Sequence, residues 1–285
     1  MTVLKRVFQK MGLQPFLFDE NGDIYVVLEN SFELYFATSD EGIEYGDGQN
    51  LILKRNQNKD SVSTRVASQL LPYMETYIDV GANIGLSYVM LAGKLGVKNI
   101  YAFEPNPSIL SHLYKNLKKN NMNEIIKVSE YAISDQLAHN SIQTLNRGSN
   151  NRITPPNSHK LRDKLAEVST ISLDSFFEDT LVASHILLKI DVEGYELNVL
   201  KSGQELICKY NPIIIYEEIP ELLGEYGVTV EELRRFLISR NYNVYMIPET
   251  NDRLAINPAT TDISNFHFLS SLVRVDFDDI SGNYG

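Results

Sequence analysis

The chain has 285 residues, 43% of them hydrophobic, which is enough for a full core. Its formal net charge of −11 lacks the cationic surplus with which proteins neutralise nucleic-acid phosphates, and its single cysteine, Cys208, excludes a disulfide framework within one chain. No apolar run reaches the roughly 18 residues of a membrane span, and the N-terminal stretch lacks the apolar core of a signal peptide, so a cytoplasmic location is expected.

Residues 1–60 read as a β-rich appendage. Phe16-Leu-Phe18 and Ile24-Tyr-Val-Val-Leu28 flank the turn signal Asp19-Glu-Asn-Gly-Asp23, and Phe32-Glu-Leu-Tyr-Phe36 supplies a further strand. Residues 61–285 read as one larger domain. A lead-in helix over 61–73 is followed by strand 76–80, helix 84–95, strand 100–104, helix 107–120 and a strand near 126–133. Strand 185–191, helix 195–202 and strand 213–216 come next. Thr229 and Glu232 make a capping box for a helix to about residue 239. Strands at 244–247 and 265–269 close the chain. Strands alternating with helices predict an α/β fold, Rossmann-like and doubly wound, with a mostly parallel sheet. The last two strands predict an antiparallel edge hairpin. Cys208 sits in an apolar stretch and is expected in the core. The polar stretch 136–170 is expected to be a long loop serving as a substrate-side flap, with Arg147 and Arg152 as anion or sugar contacts.

The chemistry concentrates in Tyr77-Ile-Asp-Val-Gly-Ala-Asn-Ile-Gly85, a strand that runs into a glycine-spaced turn. A dinucleotide fingerprint would place a glycine where Asp79 stands, and a carboxylate there repels a pyrophosphate and suits a cationic group. Glu104 ends the next strand, where an acidic residue accepts hydrogen bonds from ribose hydroxyls. A ligand with a ribose, a cationic tail and no phosphate fits both, and S-adenosylmethionine is such a molecule. Asp79, Gly81, Asn83, Gly85, Glu104, Asn106, Asp135 and Asp191 are the expected cofactor contacts, with Asp135 placed for the adenine amino group.

Three segments in order carry a resemblance: Asp79-Val-Gly-Ala-Asn-Ile-Gly85, Phe103-Glu-Pro-Asn-Pro107 and Leu188-Lys-Ile-Asp-Val-Glu-Gly-Tyr-Glu196. Together they look like FkbM-type S-adenosylmethionine-dependent methyltransferases over roughly residues 74 to 250. The resemblance implies a hydroxyl acceptor on a sugar or secondary metabolite.

Methyl transfer to a hydroxyl needs an aligned acceptor and a group to take its proton. Asp191 and Glu193 are the candidates at the strand end, with His267 as the late histidine and Lys189 as the cation holding Asp191 ionised. An ion between Asp191 and Glu217 is set aside, because no Asp-Asn pair accompanies them. One of Glu217 and Glu218 is expected to face the site and the other solvent. The chain has Asp-Val-Glu-Gly where amino-nitrogen methyltransferases of nucleic acids carry a Pro-Pro-aromatic segment. The reading is therefore an O-methyltransferase acting on a small-molecule or glycan acceptor, with no nucleic acid and no membrane span. A nicotinamide oxidoreductase and a non-catalytic partner subunit are the alternatives.

Overall fold

A computed structural model describes residues 17–18, 24–27, 33–35, 62–85, 88–136, 140–144, 152–154, 164–180, 184–262, 264 and 266–275. Near the N-terminus, β1 (Leu17–Phe18), β2 (Ile24–Val27) and β3 (Glu33–Tyr35) pair antiparallel in sequence order, as the turn signals suggest.

Helix α1 (Val62–Leu70) and a 3₁₀ turn at Leu71–Tyr73 lead into β4 (Thr76–Val80). Then come α2 (Val89–Lys94), β5 (Asn99–Phe103), α3 (Pro107–Lys119) and β6 (Ile126–Ser129). The helix expected from residue 84 begins only at Val89. Gly81, Asn83 and Gly85 have φ of +87°, +51° and +78°, so this backbone is a left-handed turn that a helix cannot enter.

The strand expected over 126–133 is two strands, because β7 (Ala132–Ile133) leaves the main sheet to pair with β11 (Thr170–Ile171). Between them the expected loop contains a three-stranded antiparallel sheet, β8 (Asn140–Thr144), β9 (Arg152–Ile153) and β10 (Lys164–Val168). Arg152 pairs through its backbone with Gln143, and Arg147 lies outside the described residues.

Helix α4 (Leu173–Phe177) precedes β12 (Ile186–Ile190), α5 (Glu196–Ser202), α6 (Gln204–Tyr210) and β13 (Ile213–Glu217). Helices α7 (Pro220–Glu225) and α8 (Val230–Ile238) follow, the latter opened by the expected Thr229–Glu232 capping box. The chain then forms β14 (Asn243–Met246), β15 (Asp252–Ile256) and β16 (Val273–Val275). Residues 267–271, expected within the last strand, are a 3₁₀ helix. β14 pairs antiparallel with β16 on one side and on the other with β15, which the sequence reading missed. Cys208 is exposed on α6 rather than in the core.

The main sheet has eight strands in the order β16-β14-β15-β13-β12-β4-β5-β6. The pairs from β13 through β6 are parallel, and the C-terminal strands add antiparallel. Side chains alternate between two cores as the pleat requires. Tyr77, Ile100, Leu187, Ile215 and Leu254 face one core, shared with α1, α2 and α3. Ile78, Tyr101, Leu188, Tyr216 and Ala255 face the other, shared with α4, α5, α6 and α8. Helices on both faces and strand ends in register define a doubly wound sheet, whose ligand crevice lies beyond the C-terminal strand ends.

Candidate functional site

Four strands deliver carboxylates to that edge, and strand parity selects them. Asp79 lies two residues after Tyr77, Asp191 two after Lys189, Glu217 two after Ile215 and Asp252 two before Leu254. All of them project to the side of the first core. Lys189 and Asp79 are direct neighbours across the β12–β4 pair.

Asp79 is 3% exposed. Its Oδ2 accepts a 2.9 Å hydrogen bond from the Tyr77 hydroxyl, and its Oδ1 lies 3.7 Å from the Lys189 ammonium with no hydrogen-bond donor among the described residues. Lys189 donates to Asp191 Oδ2 at 3.0 Å, and its Nζ lies 5.1 Å from the centre of the Tyr88 ring. Burial pushes the Asp79 carboxyl up, while Lys189 and Tyr77 pull it back. Burial lowers Lys189, but Asp191 and Asp79 outweigh it, so the ammonium is held charged.

Glu104 follows β5 and is buried. Its Oε2 accepts the Asn83 N–H and its Oε1 the Asn106 N–H, both at 2.9 Å. The left-handed turn at Asn83 thus aims a backbone donor at Glu104. Burial still pushes this carboxyl up to about 7. The Asn106 side chain caps α3, its Oδ1 accepting from the Ser108 N–H and hydroxyl. Its buried Nδ2 has no hydrogen-bond partner among the described residues.

The two glycines differ. A Cβ on Gly81 would lie 1.9 Å from the Asp191 carbonyl oxygen, so this glycine lets the β4 and β12 turns touch. Its smallness serves the backbone of Asp191. A Cβ on Gly85 would meet only the Leu113 side chain, at 2.7 Å.

Beyond β12, Glu193 has φ of +57°, and the fully buried Glu196 folds back to accept from the N–H groups of Val192 and Gly194. Glu196 therefore shapes the turn that presents Asp191 and Glu193. One oxygen from each of Asp191, Glu193 and Glu217 lies within 4.8 Å of the others. That spacing would let one oxygen from each carboxylate reach a common cation. Burial first, then the charges of Asp191, Glu193, Glu196 and Asp252, push Glu217 up to about 9.

Glu217 is the residue that sequence reasoning left among alternatives, and the parity of β13 decides for it. Glu218 points to the opposite face, but it does not reach solvent. It is buried, accepting from Arg234 Nε at 2.9 Å and Nη2 at 2.5 Å and from Arg253 Nε at 3.0 Å.

Two expected residues stand apart. Asp135 is exposed after β7 and accepts from the Asn198 amide on α5 at 3.0 Å. His267 is exposed on the 3₁₀ helix. Its neighbour Phe266 packs 5.4 Å from Tyr73, beside the start of β4 and thus at the end of the strand opposite Asp79.

Fold and strand-end carboxylates together define a Rossmann-like protein with an acidic crevice at the ends of β4, β12 and β13. The sequence profile described as "Methyltransferase FkbM domain" matches residues 79–244, more than half of the chain, and the chain belongs to this methyltransferase family. It is 29% identical to the hexuronic acid methyltransferase AglP of Haloferax volcanii over 178 residues, 58% of this chain and 70% of that protein. Among solved structures it resembles the FkbM methyltransferase of Methylobacillus flagellatus, at 20% identity and a TM-score of 0.40, covering 64% of this chain and 43% of the other. The chain thus spans less than half of that protein's length. It also resembles TrmK of M. capricolum in complex with S-adenosylhomocysteine, at 13% identity and a TM-score of 0.39, covering 69% and 67% of the two chains.

Proposed function

We propose that the protein is an S-adenosylmethionine-dependent O-methyltransferase whose acceptor is a hydroxyl of a sugar, glycan or polar secondary metabolite. The observation that carries the donor assignment is the pairing of Asp79 and Glu104 on adjacent strand ends. Asp79 offers a buried oxygen without a hydrogen-bond donor, and Glu104 keeps lone pairs beyond its two backbone bonds. The residues fit the group: Asp79 and Asp191 suit its amino end, Glu104 its ribose hydroxyls, and the unpartnered Asn106 Nδ2 offers one further donor. The bound donor supplies a methyl group already activated on a sulfonium. A buried carboxylate at Asp79 disfavours the pyrophosphate of a nicotinamide cofactor.

The protein's own work is then positioning and proton removal. As the acceptor oxygen–methyl bond forms and the sulfur–methyl bond breaks, the hydroxyl proton passes to the Asp191 or Glu193 carboxylate, beside the Glu217 carboxyl, which burial and its acidic neighbours keep protonated up to about pH 9. The relationship to a hexuronic acid methyltransferase supports a sugar acceptor.

Calorimetry with S-adenosylmethionine and S-adenosylhomocysteine tests the donor. Both should bind the native protein, and Asp79→Ala should bind neither while remaining folded. Unchanged affinity in that variant would sink the assignment. Labelled donor with a panel of hexuronic acids and neutral sugars then tests the acceptor class.

A further inference from the structure

Lys189 is a buried cation that no step of the transfer consumes. It is 6% exposed, bonded to Asp191 at 3.0 Å, and 3.7 Å from the one Asp79 oxygen that lacks a donor. Cross-strand register fixes this placement, since Lys189 lies directly opposite Asp79. An isolated buried carboxylate takes up a proton rather than stay charged, and a neutral Asp79 no longer attracts an ammonium.

We propose that Lys189 is a positioning residue that keeps Asp79 ionised, so that the amino end of the donor meets a charged carboxylate across the neutral pH range. The inference rests on the donor reading above. Asp79 and Asp191 together carry two negative charges and Lys189 returns one, leaving a single negative charge. The amino group of the donor is thus met by a net anion rather than by a proton-neutralised pair.

The groups facing Asp79 come from each neighbouring element: Tyr77 on its own strand, Lys189 and Asp191 on β12, Tyr88 ahead of α2, and Glu104 after β5. Burial drives the Tyr77 and Tyr88 phenols further up, so neither titrates near neutrality. Glu104 does, but it is common to the native protein and to a Lys189 variant. The ratio of their affinities therefore isolates Asp79. Burial already pushes Asp79 up, and Lys189 is the largest opposing influence. Without Lys189, the ionised form becomes scarcer as the pH falls.

The experiment is calorimetry of S-adenosylmethionine and S-adenosylhomocysteine with native protein and Lys189→Met between about pH 6 and about pH 9. The dissociation-constant ratio, variant to native, should fall as the pH rises, by up to about ten-fold per unit where Asp79 is protonated. Both ligands should show it, because both carry the amino group. A deficit of equal size at every pH, as a purely structural role would give, overturns the proposal, and so does an unchanged affinity. If Lys189→Met fails to fold, Lys189→Gln keeps a donor for Asp191 without the charge, and the same ratio decides. Failure of the native protein to bind either ligand is a different result, which removes the donor reading itself.

Discussion

Gly81 and the Asp191 carbonyl oxygen occupy the same space that a side chain would need: a Cβ at Gly81 would sit 1.9 Å from that oxygen. The contact locks the β4 turn onto the β12 turn and holds Asp79 beside Lys189 and Asp191. Gly96 is a control, because it too has a positive φ, +78° against +87° at Gly81, but nothing among the described residues lies within 4 Å of its would-be Cβ. Gly96→Ala should cost only the left-handed strain, about 1–2 kcal/mol. Gly81→Ala should cost several kcal/mol more and lose donor binding. Chemical denaturation of both variants measures this, and equal losses would refute the locking role.

Glu104 links donor affinity to pH. Burial raises its pKa from 4.5 to about 7, and an uncharged carboxyl is a poorer acceptor for ribose hydroxyls. Affinity of the native protein should therefore weaken as the pH drops below about 7, by up to about ten-fold per unit. Calorimetry at about pH 6 and about pH 8 checks the sign. Equal affinity at both would mean that Glu104 does not change protonation on binding.

The same raised pKa values fix a stability trend. Glu104 and Glu196 both titrate near 7 when folded, against a reference of 4.5. The folded chain keeps protons there that the unfolded chain has released, so these groups make stability fall as the pH rises from about 4.5 to about 7, with no further change above. Each contributes at most about 3 kcal/mol. Urea melts across that range read the slope. The slope should be shallower in Glu104→Gln and in Glu196→Gln, and slopes unchanged by both substitutions would contradict it.

What was legible in the sequence followed from local pattern. Asp79, Glu104 and Asp191 each end a short apolar run, so strand ends and their acids could be found without the structure. The Thr229–Glu232 cap was legible because both partners lie within one helical turn. Long-range facts were hidden. That β15 inserts between β13 and β14 depends on pairing across the sheet, and β15 itself carries Asp252 and Arg253, which look polar. The helix start at Val89 was misread because positive φ at Asn83 is set by Glu104 pulling on its N–H. His267 was misplaced because an apolar, aromatic run fits a strand and a 3₁₀ helix equally well. Strand parity could have separated Glu217 from Glu218, since Ile213 and Ile215 share the face of Glu217.

Glu218 is a structural acid. It is 3% exposed and shared by Arg234 and Arg253, so its removal leaves two guanidinium groups without their common carboxylate. Glu218→Ala should destabilise by roughly 3–5 kcal/mol. Donor affinity of the fraction that stays folded should be unchanged, because Glu218 faces the core opposite Asp79. Denaturation and calorimetry on the same preparation separate the two effects. A loss of affinity without a loss of stability would reverse the assignment.

Glu217, one residue earlier, should behave in the opposite way. Its folded pKa is raised to about 9 from 4.5 by burial and by the surrounding carboxylates. The unfolded chain releases that proton above about 4.5 and the folded chain holds it to about 9, so this residue costs more stability as the pH climbs through that window. Glutamine carries no such proton and keeps the shape. Glu217→Gln should therefore be more stable than the native protein by up to about 5 kcal/mol near pH 8, and by about 2 kcal/mol near pH 6. Its methyl transfer and its donor affinity should both hold, because a carboxyl that already carries a proton does not take the acceptor's. A variant that is more stable but has lost methyl transfer would show that Glu217 serves the reaction in its ionised form, and would overturn the assignment of the proton to Asp191 and Glu193.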